Sequence, residues 1–457
     1  MLSVFHLIIQ FSSRNTNFEN ERSISDHTRQ SVKTIIQNQM KRTLKETIEF
    51  YTKNDTILFS MVDNGHWQLA LNLWETSYKK FNITNYLFMC ITKKSFEILT
   101  KHGLNAYFHN ETSNGLELSE NASFFQSNQY KKKSVQNMIF GEMILKLGYN
   151  ALLIDMDIVF LQNPIPYLVL KNYDIVAQSD GPDRKRDINA GFIFMRQNPT
   201  VLELVHKVIQ TSLEGPQVID DQKSMNLVKR KFKYLKVKRV SNEIFCIGCE
   251  YFSTRQFAGD NPESKCVILH NICAAGVDQK VYKFKEMHMW VVDVDGYYSN
   301  QNGKYLAYKS CQGSECKEQG LLHLMLEVGK LLGRIVILPK FNCHEQICNY
   351  QKRFGAVQIF EKEFSGLYRE HSFLSHPKVP EAIKRSISPS VSIYSRFNGL
   401  QNKLVNSSDF THKDGSFQVN INATCSKQDL PKEIVRQLNK LSLSQYHVLQ
   451  IGSLSLS

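Results

Sequence analysis

Nowhere does the chain hold a run of about 20 apolar residues, the length a membrane-spanning helix requires. The first eleven residues come nearest, with Val4-Phe5 and Leu7-Ile8-Ile9, and they also lack the basic leading region and small-residue cleavage site of a secretory signal. Either the protein is not exported or this start is a truncated or alternative one. With 22 glycines and 11 prolines in 457 residues, and no internal repeat, the composition does not fit collagen, coiled coil or bulk disorder. Carboxylates are in short supply, 43 Asp and Glu against 56 Lys and Arg, which leaves a net charge of +13. A basic surface favours phosphorylated, nucleotide or acidic-polymer partners. Its densest stretch, Lys229-Arg230-Lys231 through Lys233, Lys236, Lys238 and Arg239, has aromatic residues only at Phe232 and Tyr234. No nucleic-acid motif accompanies it, and solvated lysine on a helix-to-strand surface explains it as well as polyanion binding does.

Ten cysteines in a chain this long are too few for a small disulfide scaffold. Cys246-Ile247-Gly248-Cys249, Cys311 with Cys316, and Cys343 with Cys348 form close pairs, leaving Cys90, Cys266, Cys273 and Cys425. A zinc site on Cys246 and Cys249 would need a second pair at like spacing, and only five-apart pairs exist, so disulfides in an oxidising compartment fit better. Acceptor sequons at Asn54, Asn82, Asn110, Asn121, Asn406 and Asn422 suit the same compartment.

Against this background stands Asp155-Met156-Asp157, two carboxylates inside an apolar run from Ala151-Leu152-Leu153-Ile154 to Ile158-Val159-Phe160-Leu161, just before the turn signal Asn163-Pro164. The run reads as a buried strand. Unpaired carboxylates there would cost on the order of several kcal/mol each, so they need a cation, a ring of donors or an exit to solvent. Residues two apart on an extended chain point to one side, which lets Asp155 and Asp157 share one hard divalent ion.

Strands are expected at Thr56 to Val62, Tyr86 to Ile91, Gly103 to Phe108, Asp174 to Gln178 and Ala190 to Met195, and helices at Gln30 to Phe50, Trp67 to Lys80, Lys94 to His102, Lys131 to Leu147 and Thr200 to Leu213. Asp220-Asp221-Gln222 opens a further helix, its acidic start suited to a helix N-terminus. This alternation predicts an α/β fold with a mostly parallel, Rossmann-like sheet flanked by helices, whose ligands bind beyond the carboxyl ends of the strands. A smaller C-terminal α/β unit begins near residue 317, with a helix at Leu321 to Leu332 stopped by Gly333 and a strand at Ile335 to Pro339. The domain plan is a stem and entry helix over 1–48, the main domain over 49–316 and an accessory unit over 317–457. The tail from Ser386 is Ser- and Asn-rich, weakly patterned, and carries no assigned chemistry. Lys131-Lys132-Lys133 fits a solvated helix face better than a phosphate site, and the loop Asp63-Asn64-Gly65-His66 is given only a generic nucleotide-facing role.

Read in order, Leu147 to Pro164 around Asp155 and Asp157, then Ile188-Asn189-Ala190-Gly191-Phe192-Ile193, then Asp221-Gln222, then Leu269-His270-Asn271 with Gly276 and Lys280 resemble the motifs of glycosyltransferase family seventy-seven, nucleotide-diphospho-sugar transferases of GT-A fold. The similarity runs from about Thr56 to Tyr305. Segments Leu332 to Phe341 and Tyr368 to Leu374 resemble those that follow the catalytic domain in arabinosyl- and xylosyltransferase-like branches. The resemblance implies that Asp155, Asp157 and His270 hold Mn2+ or Mg2+ against the diphosphate, and that Lys280, near Gly276, meets the same phosphates. It implies a catalytic set of Asn189 and Asp221, which hold the donor sugar, with Gln222 lining the same pocket. Five residues between His270 and Gly276, and three between Gly276 and Lys280, are a looser spacing than in related families.

The implied activity is retaining transfer of a pentose or galactose from a UDP-sugar to a glycan or glycoprotein acceptor in the Golgi or secretory lumen. Membrane anchoring, type II if present, has no segment in this sequence to supply it. Retention could use an enzyme-bound sugar on a carboxylate, for which Asp220 and Asp221 are the nearest acids unless they are helix caps, or front-face attack. A non-catalytic nucleotide-sugar or glycan-binding module of the same fold is the alternative.

Overall fold

The computed structural model describes residues 34, 36–52, 54–109, 118–123, 126–168, 170–180, 187–214, 217–253, 265–272, 276–309, 318–339, 366–395, 417–421, 429–441 and 443–456. The chain divides into two compact units, Met1–Val281 with Met289–Val292, and Tyr282–His288 with Asp293–Ser457.

The first unit is entered through α1 (Leu44–Tyr51). Its start is fixed by a reciprocal cap: the Thr43 hydroxyl accepts from Glu46 N at 3.2 Å, and the Glu46 carboxylate accepts from Thr43 N at 2.7 Å. This cap divides the continuous entry helix expected over Gln30 to Phe50, because helical turns at 36–40 end before Thr43 starts a new helix. Strands β1 (Thr56–Val62), β2 (Tyr86–Cys90), β3 (Ala106–Phe108) and β4 (Asn150–Ile154) alternate with α2 (Trp67–Leu73), α3 (Lys93–Lys101) and α4 (Asn128–Lys146). β6 (Ile175–Ser179), β7 (Ile188–Met195), which leads into α5 (Pro199–Leu213), and β8 (Val237–Val240) complete a seven-stranded sheet of order β3-β2-β1-β4-β7-β6-β8. All its strands run parallel except β7, which lies antiparallel between β4 and β6. Successive strands step from β1 outward to β3 and then resume on the other flank at β4, so the chain order reverses between β1 and β4. α4 buries Val135, Met138, Phe140, Ile144 and Leu145 in the core shared with Phe59, Leu153, Ile193 and Met195. Each such side chain removed from water contributes roughly 1.5–3 kcal/mol.

The apolar run around the aspartates is not one strand. β4 stops at Ile154, the chain turns through Asp155-Met156-Asp157, and β5 (Ile158–Phe160) joins a separate sheet of order β5-β10-β9, with β9 (Phe245–Ile247) and β10 (Ile268–His270). The expected extended geometry fails because the carboxylates leave the large sheet: Asp155 remains 38% exposed where an unbroken strand would bury it. The small sheet also carries a disulfide. Cys246 bonds to Cys266, their Cα atoms 5.7 Å apart, a pairing that the sequence spacing left open. β9 and β10 are parallel neighbours, so the approach to β10 places Cys266 beside Cys246 whereas Cys249 has already entered the short helix Gly248–Ser253. Bonded this way, Cys246 is also withdrawn from the alternative zinc site. Cys90 is a buried free thiol, and Cys273, Cys311, Cys316, Cys343, Cys348 and Cys425 lie outside the described residues.

The second unit centres on a six-stranded, all-parallel sheet of order β13-β12-β11-β16-β14-β15, made of β11 (Tyr305–Tyr308), β12 (Ile335–Ile337), β13 (Tyr368–Arg369), β14 (Ile387–Ser395), β15 (Phe417–Ile421) and β16 (Val448–Leu456). Helices Glu318–Leu332 and Leu430–Lys440 contribute Met325, Val328, Ile434 and Leu438 to its core. The tail that composition left without pattern supplies three of the six strands. Its Ser-rich segment alternates polar and apolar residues, and Val391 and Ile393 are fully buried.

Candidate active site

The turn Asp155-Met156-Asp157 is pinned from two sides: Asp155 N donates to the Gly191 carbonyl at 2.7 Å, and Asn271 N donates to the Asp157 carbonyl at 2.9 Å. The Asp157 side chain is 4% exposed. A Cβ on Gly191 would fall 2.6 Å from Asp155 Cγ and 2.8 Å from His270 Cε1, so only glycine lets a carboxylate and an imidazole stand this close to the β7 backbone.

His270 ends β10 and is almost wholly buried. Gln178, near the end of β6, donates its amide N–H groups to the carbonyls of Phe245 at 2.8 Å and Cys246 at 3.3 Å, so its amide oxygen accepts from His270 Nδ1 at 2.8 Å. That bond places the ring proton on Nδ1 and aims Nε2 at Asp155 Oδ2, 3.6 Å away, and Asp157 Oδ1, 3.5 Å away. Nε2 is buried and makes no hydrogen bond. A lone pair facing two carboxylates is stable only with a cation or a proton between them. Without an ion, burial pushes the imidazole down and the two aspartates pull it up more strongly, to about 9. Burial alone would raise Asp157, yet Lys280 and His270 hold its carboxyl well below the usual range. The ligand atoms of Asp155, Asp157 and His270 all lie within 4.8 Å of one another. Two hard oxygens and a borderline nitrogen at that spacing fit Mn2+ or Mg2+.

Lys280, on helix Val277–Glu286, stands 2.7 Å from Asp157 Oδ2. Asn271 ties this helix to the strand end by donating its amide to the Lys280 carbonyl at 2.9 Å. Gly276 precedes the helix with φ +96, a left-handed conformation that suits glycine.

Helix α6 (Asp221–Lys229) brings the Asp-Gln pair to the same end of the sheet. Asp220 is its cap, accepting from Lys223 N at 2.8 Å. Asp221 is 7% exposed; its carboxylate accepts from Gln222 N at 2.8 Å and from Asn137 Nδ2 at 3.5 Å, while its own N–H donates to Ser134 Oγ at 3.1 Å. Burial first, and then the charges of Asp155 and Asp220, raise this carboxyl to about 7. Asn189 and Gln222 use their amide oxygens on the β7 backbone, accepting from Gly191 N at 2.8 Å and Ala190 N at 3.2 Å, so each has N–H donors left to offer.

Sequence reasoning missed the supports. Gln178 lay unmarked at the end of an apolar strand, where a buried amide was itself the signal. Tyr130, Lys133, Ser134 and Asn137 share one face of α4 at helical spacing. Burial, and then the charges of Asp221, Asp155, Asp220 and Asp157, push the Tyr130 phenol up. Lys133 departs from the solvated face expected for the lysine triplet. It is 5% exposed, 2.6 Å from Asp63 Oδ2, and also bonded to the Asn121 carbonyl. Asp63 follows β1 at the point where chain order reverses, accepts from Gly65 N at 2.9 Å and lies 2.6 Å from His66 Nδ1. Burial would raise Asp63, but His66 and Lys133 outweigh it and hold the carboxyl low.

Residues 82–284, which include every one of these site residues except Asp63, Gly65 and His66, match the family model described as nucleotide-diphospho-sugar transferase. The beta-arabinofuranosyltransferase RAY1 of Arabidopsis thaliana is 26% identical over 165 residues, 35% of this chain and 30% of that protein. The UDP-galactose:fucoside alpha-3-galactosyltransferase of Dictyostelium discoideum is 24% identical over 313 residues, 57% of this chain and 46% of the relative. The arabinosyltransferase XEG113 of Arabidopsis thaliana is 23% identical over 417 residues, 75% and 63% respectively. The matched stretches thus cover less than two thirds of each relative's length.

Proposed function

We propose, from the premise that residues 82–284 belong to the nucleotide-diphospho-sugar transferase family, that this chain is a metal-dependent, retaining glycosyltransferase. It moves a pentose or galactose from a UDP-sugar to a glycan or glycoprotein acceptor. The observation that carries this is the orphaned His270 Nε2, buried and turned toward Asp155 and Asp157 within the matched stretch. Asp155, Asp157 and His270 would hold Mn2+ or Mg2+, which when bound neutralises charge on the departing diphosphate. Lys280, now paired with Asp157, offers its ammonium to the same phosphates as a point charge. Asn189 and Gln222 present N–H donors, and Asp221 a carboxyl that exchanges its proton near neutrality, to the hydroxyls of the donor sugar. In the transfer, the bond from the anomeric carbon to the β-phosphate oxygen breaks, UDP leaves with the electron pair, and an acceptor hydroxyl oxygen forms the new bond on the same face, its proton passing to the departing diphosphate. Asp220 is committed to capping α6, which leaves positioning by Asp221 as the role assigned here.

These residues fall within the first compact unit, to which we assign the transfer chemistry, and the second, Tyr282–His288 with Asp293–Ser457, is assigned an accessory role. The disulfide and the exposed sequon residues Asn54, Asn82 and Asn121 support work in the Golgi or secretory lumen. Among the described residues no helix is long and apolar enough to cross a membrane. Incubation of the full chain with a panel of UDP-pentoses and UDP-hexoses, with and without manganese, is expected to release UDP from one donor and only with the ion. Donor binding without turnover on any glycan acceptor would instead identify a binding module, and indifference to every nucleotide sugar would exclude both.

A further inference from the structure

We propose that the basic edge of the seven-stranded sheet, from Arg230 to Arg239, is a docking strip for an anionic polysaccharide, gripped by charge along its length and by a sugar face stacked on Tyr234. Among the described residues β8 is the outermost strand of the sheet, hydrogen-bonded to β6 alone. No acidic residue occurs between Lys229 and Arg239. Arg230 pairs with Asp187 at 2.7 Å, but Lys231, Lys233, Lys236, Lys238 and Arg239 are exposed and form no ion pair with a carboxylate among the described residues. The crowding is felt nearby: burial first, and then Arg230 and Arg239, hold the Lys229 ammonium down against the pull of Asp187. Uncompensated like charge repels itself and is relieved by a polyanion.

Tyr234 lies among these cations with 91% of its surface exposed, whereas Phe232, two residues earlier, packs against the core with Lys207 over its ring. A bare phenol face amid cations suits a ligand that combines charge with flat C–H surfaces, as a uronate polymer does. A linear partner fits better than a flat one, because Lys236 and Lys238 flank and enter an extended strand that places them roughly 6–7 Å apart in a line. β8 ends at Val240, the register partner of Gln178, and Gln178 holds His270. The strip therefore leads to the end of the sheet that carries the acidic triad. Taking the polymer as acceptor rests on the transferase proposal; its binding does not.

The test is binding of polygalacturonate to the full chain across a salt series, without metal or nucleotide, beside neutral dextran and phosphatidylserine-containing vesicles. Binding to polygalacturonate but not dextran is expected, weakening as salt rises. The combined variant Lys233→Glu, Lys236→Glu, Lys238→Glu should lose on the order of tenfold or more in affinity, while an equal charge change on α3, Lys93→Glu, Lys94→Glu, Lys101→Glu, should change it by less than about twofold. Tyr234→Ala should weaken the part of binding that survives high salt. No affinity for the polymer, equal loss in both triple variants, or preference for the vesicles would overturn the assignment. Because the assay contains no UDP-sugar, its failure leaves the donor panel untouched.

Discussion

At the scale of single residues the site is a set of charges made tolerable by one another. Asp157 is sustained by Lys280 and His270, His270 is oriented by Gln178, and Asp221 is raised to about 7 by burial first and then by the charges of Asp155 and Asp220. That last shift has a thermodynamic sign. An unfolded Asp gives up its proton near 3.8, whereas folded Asp221 keeps it to about 7. The stabilising contribution is thus complete below about pH 4 and is lost as pH rises through 7, with a ceiling of about 4 kcal/mol. In chelator-treated protein, Asp221→Asn should be progressively favoured over the wild type in urea unfolding as pH goes from 4 to 8. A difference in stability that stayed constant across that range would contradict the assignment. Asp155 and Asp157 could be named from the sequence because two carboxylates in an apolar run are visible there, and Asn189, Asp221, Gln222, His270 and Lys280 because their motifs, in order, resemble those of a known family. Gln178 gave the same kind of signal, an amide at the end of an apolar strand, but its role, like those of Ser134 and Asn137, lies in partners 92, 87 and 84 positions away along the chain.

At the scale of elements, strand ends do the positioning. β4 stops so that Asp155 and Asp157 can turn out, β10 stops at His270, and β7 passes behind them with Gly191 at the point of closest approach. Periodicity located these strands, but it joined β4 and β5 into one run, because the apolar residues on either side of the turn serve two different sheets. Hydropathy records that both halves are buried and not which neighbours bury them. The role of Gly191 gives a test at this scale. Gly191→Ala forces a methyl against Asp155 and His270, at a cost typical of overpacking, about 1–3 kcal/mol. The variant should keep its circular-dichroism spectrum while manganese-dependent UDP binding drops on the order of tenfold or more, from ligand displacement. Unchanged nucleotide affinity in a folded Gly191→Ala protein would show that the close approach is incidental.

At the scale of the whole molecule, a net charge of +13 is spread neither evenly nor at random: one stretch without any acid lines the outer edge of a sheet whose strand ends gather Asp63, Asp155, Asp157 and Asp221. The alternating pattern of the first unit made its α/β class legible in advance. The second unit was less so, since serine-rich strands such as β14 disguise a period of two in a polar composition. The central claim is that Asp155, Asp157 and His270 hold a divalent ion that in turn holds a nucleotide diphosphate. Calorimetric titration of UDP into the full chain, with manganese and after chelation, for the wild type and for Asp157→Ala, tests it most directly. Binding by the wild type only in the presence of the ion, and none by a folded Asp157→Ala protein, is the predicted result; equal UDP affinity in all four titrations would contradict it.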